Sequence, residues 1–308
     1  MMNIAMGGAG AAPLLRLLAF LAMATVWGVT WMAAKWAMEA APPVFVAGAR
    51  LTLASLLFGA WCALAGVPLA TSKVGRLIIA SLLVNTGCYS FVFWGVARTP
   101  TGLAAIVNLS LIPVFSMVVG AFYGEERITA RRIAAVALGA AGLALLFSSR
   151  TGDPGRDGAE IGLGLAAVVL GTLSYAWGAI VSKPLVREMQ PVAVAFWETL
   201  IGGLSLLALS WVLEPAPAFS ALLSGRPLAG LAFLVLGGSL VGFLVYLWLL
   251  REWGAFRAGL YAFVSPILAV GVGVLWAGES FGVWEGVGMA IMLAATALVV
   301  QPETPRAS

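Results

Sequence analysis

The sequence consists of apolar runs of about 20 residues separated by short polar or charged segments. A run of this length matches a helix that crosses the hydrocarbon core of a bilayer. Because the apolar residues are continuous and do not alternate with polar ones, the runs predict helices and not barrel strands. The composition agrees, since 62% of the residues are hydrophobic and 10% are charged. We therefore expect an all-α integral membrane protein with ten transmembrane helices, over residues 14–38, 43–65, 74–97, 101–123, 132–147, 161–185, 192–213, 228–250, 256–277 and 283–300.

Part of the sequence occurs twice. Residues 98–147 match a second stretch after a shift of 153 residues, with identical residues at ten of the fifty positions. The identities that are not alanine include Arg98 with Arg251, Pro113 with Pro266, Gly120 with Gly273 and Glu126 with Glu279. Residues 43–47 also nearly reappear at 191–195. The sequence therefore predicts an N-terminal five-helix repeat at 1–150, a linker at 151–160 and a C-terminal five-helix repeat at 161–302.

The number of helices in each repeat sets its orientation. After five crossings the chain is on the opposite face of the membrane from where it began. The second repeat is therefore inserted upside down relative to the first. With the N-terminus inside, eleven Lys and Arg residues fall in inner segments and five in outer ones. This bias predicts that both termini are cytoplasmic. Inverted repeats are typical of carriers that work by alternating access, with a site near the bilayer midplane.

Several classes of protein are excluded by what the sequence lacks. Histidine is absent, which removes His-based zinc sites and Ser-His-Asp triads. The two cysteines lie in apolar runs, and no phosphate-binding loop with its lysine is present. The connections are too short for a soluble catalytic domain. We expect no enzyme, no cofactor, no metal site and no nucleic-acid partner, and attribute the net charge of +4 to cytoplasmic loops.

Polar and aromatic-polar side chains inside apolar spans indicate surfaces that face protein or water. Asn85, Tyr89 and Phe93 share one face of the third span at a spacing of four residues. The full set of candidate substrate-binding residues is Trp27, Thr30, Asn85, Tyr89, Phe93, Asn108, Tyr175, Trp177, Tyr246, Trp248, Tyr261 and Ser265. Two alternatives stay open: a single aromatic residue also suits the membrane interface or the core, and an asparagine amide also suits a hydrogen bond between helices.

A second group of residues is expected to control movement. Pro113 and Pro266 lie in the middle of their spans, where proline frees a backbone carbonyl and predicts a hinge. Glu126 and Glu279 close the same two spans and suit gates or solvated helix ends. Glu198 is the only carboxylate that lies inside a predicted span rather than at its edge, and it suits proton coupling or contact with a substrate ammonium. Arg50, at the equivalent place in the second span, suggests snorkelling or an interhelical salt bridge.

The order of these features resembles the drug/metabolite transporter superfamily, specifically its EamA-type bacterial exporters. The features are the start at Trp27-Gly28, the basic end of the first span at Lys35, the segment from Pro43 to Arg50, and the proline-centred fourth and ninth spans that end in Glu126 and Glu279. Among these exporters the chain looks most like the YddG-type aromatic amino-acid exporters.

This resemblance implies a multi-pass carrier of the bacterial inner membrane that exports aromatic or other apolar amino acids and related metabolites. Other members of the superfamily provide alternatives, a carrier of nucleotide sugars or phosphorylated metabolites and a flippase of lipid-linked sugars. A site for an anionic substrate is expected to contain several basic residues in mid-span. Arg50 is the only basic residue in such a position, which counts against these two alternatives. A structural or sensory membrane protein is the alternative from another class. The sequence does not indicate the oligomeric state.

Overall fold

The computed structural model describes residues 11–96, 98–99, 101–146, 158–268 and 282–300, and the regular structure within them is helical. The bounds agree with the apolar runs to within a few residues. The helices that correspond to these runs are α1 (Ala11–Ala37), α2 (Pro43–Ala65), α3 (Val74–Val96), α4 (Thr101–Phe122), α5 (Ala130–Leu146), α6 (Gly158–Glu188), α7 (Pro191–Leu213), α8 (Gly225–Trp253), α9 (Ala255–Leu268) and α10 (Val283–Val300).

Six of the helices in the described residues are long and apolar enough to cross a membrane, namely α1, α2, α3, α6, α7 and α8. Shorter apolar helices lie within α4, α9 and α10. The all-helical membrane architecture is thus confirmed, while the count of ten spans stays a prediction. The expected linker lies mostly outside the described residues, and so do Glu279 and the end of the predicted ninth span.

The helices of the two halves pack against each other in a symmetrical pattern. The most extensive contacts join α2 to α7, α5 to α10, α3 to α6 and α1 to α8, and α4 packs on both α6 and α9. The four extensive pairings are unchanged when each helix is exchanged for the one five places along the chain. The most extensive helix contacts therefore lie between the two halves.

Glycines allow the closest of these approaches. A Cβ atom placed on Gly95 of α3 would lie 2.4 Å from the carbonyl oxygen of Gly164 in α6. A Cβ on Gly230 of α8 would lie 2.4 Å from the carbonyl oxygen of Ala33 in α1. Both contacts are with the backbone, which cannot rotate away as a side chain can. Small residues are the usual means of close helix packing in lipid, where no hydrophobic effect drives association.

In the part of the chain that the structure describes, two helices depart from α-helical geometry, and they do so at matching places. Residues Leu82–Gly87 of α3 and Leu234–Phe243 of α8 form wide, π-helical turns. The shift of 153 residues found in the sequence carries 82–87 onto 235–240, inside the second wide segment. Segments of this kind are rare and often occur at functional sites. The proline of α4 behaves differently, because the helix continues through Pro113 without a break.

Candidate functional site

Four aromatic side chains from four helices meet in the interior. Trp27 of α1 contacts Tyr261 of α9 edge to face, with ring centroids 4.4 Å apart, and Tyr246 of α8 at 5.5 Å. Tyr175 of α6 lies 5.9 Å from Tyr246. We call these four residues the aromatic cluster. Both halves contribute to it, since Trp27 comes from the first and the three tyrosines come from the second.

Hydrogen bonds fix the orientation of these rings. The Trp27 indole Nε1 donates to the carbonyl oxygen of Gly238, 2.9 Å away in the wide segment of α8. The hydroxyl of Tyr261 lies 3.4 Å from that of Tyr175. Tyr246 is almost fully buried. Rings with polar tips provide an apolar wall with a few directional hydrogen-bonding groups, which is the composition of most small-molecule sites.

Arg50 lies next to Gly238, whose carbonyl accepts the hydrogen bond from Trp27, and forms a site of its own with α3. Its guanidinium donates a hydrogen bond to the Tyr89 hydroxyl and lies 4.8 Å from the centroid of the same ring. Phe93 stacks on Tyr89 at 5.7 Å. The Arg50 Nε is buried, and within the described residues it has no hydrogen-bond partner and the guanidinium has no carboxylate. The expected salt bridge is therefore not found in that part of the chain, and the cation has spare hydrogen-bonding capacity.

Glu198 of α7 is fully buried, with none of its surface exposed. The Ser182 hydroxyl donates to Oε1, while Oε2 has no partner among the described residues. Burial of an ionised carboxylate is costly unless it is paired, so this oxygen requires a proton, a cation or water. Asn85 of α3 donates its Nδ2 to the Glu198 backbone carbonyl at 2.9 Å, which connects the wide segment of α3 to α7.

Other candidate polar residues form hydrogen bonds between or within helices. Asn108 donates to the Thr172 hydroxyl at 2.9 Å, and Ser265 donates to the Ala24 carbonyl at 3.0 Å. Thr30 donates to the Trp27 carbonyl of its own helix. Part of the candidate set therefore joins helices around the aromatic cluster and does not belong to it.

Two aromatic candidates lie elsewhere. Trp177 is 41% exposed and donates its Nε1 to the Tyr123 hydroxyl at 3.0 Å. Trp248 is partly buried and packs against the main hydrophobic core. Neither belongs to the aromatic cluster. The periodicity of the sequence could not distinguish these tryptophans from Trp27, because all three lie in equally apolar runs.

Ion pairs gather at the end of the helices that is predicted to face the cytoplasm. Glu125 pairs with Lys183 at 2.7 Å and with Arg187 at 3.1 Å, which connects the end of α4 to α6. Glu126 pairs with Arg132 at 2.8 Å. The turn between α8 and α9 closes over Glu126, because a Cβ on Gly254 would lie 2.5 Å from Glu126 Oε1. Gly254 has a φ of 82°, a conformation that favours glycine.

This arrangement predicts a dependence of stability on acid pH. The hydrogen bond from Lys183, together with the nearby positive charges, lowers the pKa of Glu125 from its usual 4.5. A carboxyl group with a lowered pKa contributes its full stabilisation above its usual pKa and loses it as the pH falls through the lowered value. We expect Glu125→Gln to lower the melting temperature at pH 7 and to have little effect near about pH 3.

Thermal unfolding in detergent at the two pH values provides the measurement. Glu39→Gln is the matched control, since Glu39 is an exposed glutamate at the end of α1. If Glu125→Gln lowers the melting temperature equally at both pH values, the pH dependence does not come from the ionisation of Glu125.

Within the described residues no three Cys, Asp or Glu side chains gather in a way that could hold a metal ion.

Comparisons with known proteins bear on what this arrangement does. The chain matches the EamA-like transporter family over residues 14–148 and again over residues 162–301. It is 30% identical over 282 residues to a chloroplastic WAT1-related protein of Arabidopsis thaliana, covering 90% of this chain and 67% of that protein. It is 26% identical over 291 residues to the inner membrane transporter YedA of Escherichia coli, covering 91% and 89%.

A third relative has a more specific name. The chain is 24% identical over 282 residues to a probable amino-acid metabolite efflux pump of Salmonella typhimurium, covering 89% of this chain and 91% of that protein. A solved crystal structure shares the fold, with a TM-score of 0.78 and 18% identity over 92% of this chain and 95% of that one. The chain is therefore a member of the EamA-like transporter family, and its activity is that of a multi-pass membrane transporter of small metabolites.

Proposed function

We propose that this protein is a secondary transporter that exports aromatic and other apolar amino acids across the inner membrane by alternating access. The aromatic cluster carries the proposal, because it places four rings with polar tips between the two halves. The name of the Salmonella typhimurium relative supports an amino-acid substrate. The two matched family segments and the symmetrical helix pairing support two inverted five-helix repeats with both termini in the cytoplasm.

The half-buried cation of Arg50 and the buried carboxyl group of Glu198 suit the two ends of an amino acid. In this proposal the free Oε2 of Glu198 accepts the substrate ammonium, and the spare donor of Arg50 attracts the carboxylate. Arg50 and Glu198 are each seven residues after the proline that begins their helix. In an inverted repeat, equivalent positions lie toward opposite membrane faces. Arg50 and Glu198 therefore fix which end of the substrate points toward which face of the membrane as it passes the aromatic cluster.

Glu198 also provides a simple mechanism for coupling. A buried carboxyl group is stable when it holds a proton or when a cation neutralises it, and one oxygen cannot hold both. Binding of a substrate ammonium therefore displaces the proton, and a proton from outside displaces the substrate after the site opens outward. Each turnover exports one amino acid and imports one proton.

Efflux from proteoliposomes tests this function. Vesicles are loaded with radiolabelled tryptophan, phenylalanine, threonine or a nucleotide sugar, and efflux is followed with and without a pH gradient. We expect tryptophan and phenylalanine to leave faster than threonine, and the nucleotide sugar to be retained. Transport of the nucleotide sugar with no transport of any amino acid would contradict the proposal and favour the anionic alternative.

The aromatic cluster should set the preference for aromatic substrates. We expect Trp27→Leu to raise the KM for tryptophan about tenfold and the KM for valine much less, since aromatic pairs contribute about 0.5–1.5 kcal/mol beyond the area they bury. Trp211→Leu is the matched control, because Trp211 of α7 is 85% exposed and faces lipid in a membrane. Equal changes in the two KM values would show that Trp27 has a packing role only.

A further inference from the structure

A groove on the outer surface of the bundle is separate from the aromatic cluster. It lies between α3, the end of α4 and α6, and its volume is about 450 Å³. Its lining consists of Arg76, Ile79, Leu83, Tyr123, Trp177 and Val181. No residue of the aromatic cluster belongs to this lining, so the proposed transport site does not explain the groove.

The position of the groove on the membrane surface indicates what fills it. Ile79, Tyr123 and Trp177 each expose about half of their surface, so this side of the bundle meets lipid when the protein lies in a membrane. The bond between the Trp177 Nε1 and the Tyr123 hydroxyl connects α6 to the end of α4 and holds one wall. A groove with apolar walls on a membrane-embedded surface is in contact with lipid tails and not with bulk water.

One end of the groove carries an unpaired positive charge. Arg76 is exposed and has neither an acidic partner nor a hydrogen-bond acceptor for its side chain within the described residues. The neighbouring cations differ, since Lys73 pairs with Glu188 and Arg187 pairs with Glu125. Arg76 is therefore the cation in this group that is available to an anion.

The spacing along α3 matches the shape of a phospholipid. Arg76 lies near the start of α3, at the predicted cytoplasmic boundary of the bilayer, and Leu83 lies seven residues further on. At 1.5 Å per residue this separation is about 10 Å, directed into the hydrocarbon core. A phosphate at Arg76 would thus be followed by an acyl chain along Ile79 and Leu83. Tyrosine and tryptophan rings beside the entrance are the side chains usually found at headgroup depth.

We propose that this groove is a binding site for one anionic phospholipid of the cytoplasmic leaflet, with its phosphate on Arg76 and an acyl chain against Ile79, Leu83 and Val181. The walls come from both halves, α3 and α4 from the first and α6 from the second. The bound lipid therefore bridges the same helices that Glu125 and Lys183 join. It stabilises the contact between these helices at the end of the bundle that carries Glu125 and Lys183.

Native mass spectrometry of the purified full-length protein tests the charge recognition. The protein is titrated with phosphatidylglycerol or phosphatidylcholine, and the fraction that retains lipid is compared. We expect the wild type to retain phosphatidylglycerol preferentially and Arg76→Gln to lose about fivefold in that retention, with phosphatidylcholine unchanged. Arg127→Gln is the matched control, because Arg127 is an exposed arginine at the same end of the bundle and outside the groove. It should change the retention of either lipid less than twofold.

A second variant tests the acyl-chain part of the site. Ile79→Trp fills the groove and should reduce the retention of both lipids, whereas Ile133→Trp, on an equally exposed position of α5, should not. Inorganic phosphate in millimolar excess should not displace phosphatidylglycerol. Equal losses in Arg76→Gln and Arg127→Gln, unchanged retention in Ile79→Trp, or displacement by phosphate would each overturn the proposal. These measurements do not involve transport and are independent of the substrate.

Discussion

Glu198→Gln is expected to remove the dependence of amino-acid efflux on a transmembrane pH gradient. The side chain is fully buried, and only Oε1 has a partner within the described residues, the Ser182 hydroxyl. Glutamine preserves the shape and the acceptor for Ser182 but can neither gain nor lose a proton. A pH gradient should therefore no longer accelerate efflux, and the ammonium group of the substrate loses its counter-charge. Hydrogen bonds to charged groups contribute about 1.5–3 kcal/mol, so we expect KM to rise at least tenfold.

The measurement is efflux of tryptophan from proteoliposomes at several imposed pH gradients. Glu160→Gln is the matched control, because Glu160 is an exposed glutamate in the first turn of α6, the helix that carries Ser182. Its response to the gradient should equal that of the wild type. A Glu198→Gln protein that still responds fully to the gradient would show that protons cross elsewhere or that transport is facilitated diffusion.

Gly164→Leu is expected to disrupt the folded protein. A Cβ at this position would lie 2.3 Å from the Thr99 hydroxyl oxygen and 2.9 Å from the Gly95 carbonyl oxygen of α3. The contact is reciprocal, because a Cβ on Gly95 would collide with the Gly164 carbonyl. A leucine therefore forces α3 and α6 apart along one of the extensive contacts between the halves. Overpacking costs about 1–3 kcal/mol of folding free energy in soluble cores. Because one of the atoms in the way here belongs to the backbone, we expect a loss of stability at or above the upper end of that range.

Gly162→Leu provides a control on the same helix, two residues away. Nothing lies within 4 Å of a Cβ at Gly162, so the same gain in side-chain volume meets open space. Thermal unfolding in detergent should show a large decrease in melting temperature for Gly164→Leu and little change for Gly162→Leu. Similar decreases for both would mean that the effect comes from the lower flexibility or altered lipid contact of α6 and not from its contact with α3.

The helices themselves were predictable because lipid leaves few alternatives for an apolar run of this length. The third run was predicted at 74–97, and the helix spans Val74–Val96. The site was predictable in part. Tyr175, Tyr246 and Tyr261 carry polar tips in apolar helices, a costly placement that predicts contact with protein or water, and in the structure the three rings meet between helices.

Other properties of the site depend on contacts that no local pattern encodes. Asn85 and Tyr89 were expected on one face because they are four residues apart. In the structure Asn85 bonds to α7 while Tyr89 is held by Arg50 of α2, and these two helices pack against each other, so the spacing indicated a common face but not the individual partners. The direction of Trp177 toward the surface also depends on its partner Tyr123, 54 positions away in the sequence.

The wide turns of α3 and α8 have one further consequence. Within each of them a carbonyl accepts a hydrogen bond from a helix of the opposite half, Leu83 from the Ser174 hydroxyl at 2.8 Å and Gly238 from the Trp27 indole at 2.9 Å. An oxygen with two possible donors can exchange one for the other without being left unpaired in the lipid phase. Either helix can therefore convert a wide π-helical turn into an ordinary α-helical turn, or the reverse, without leaving this carbonyl unpaired. Such a conversion changes the length of the helix and rotates the part that follows the turn. Motion of this sort requires neither a break at proline nor the entry of water into the backbone.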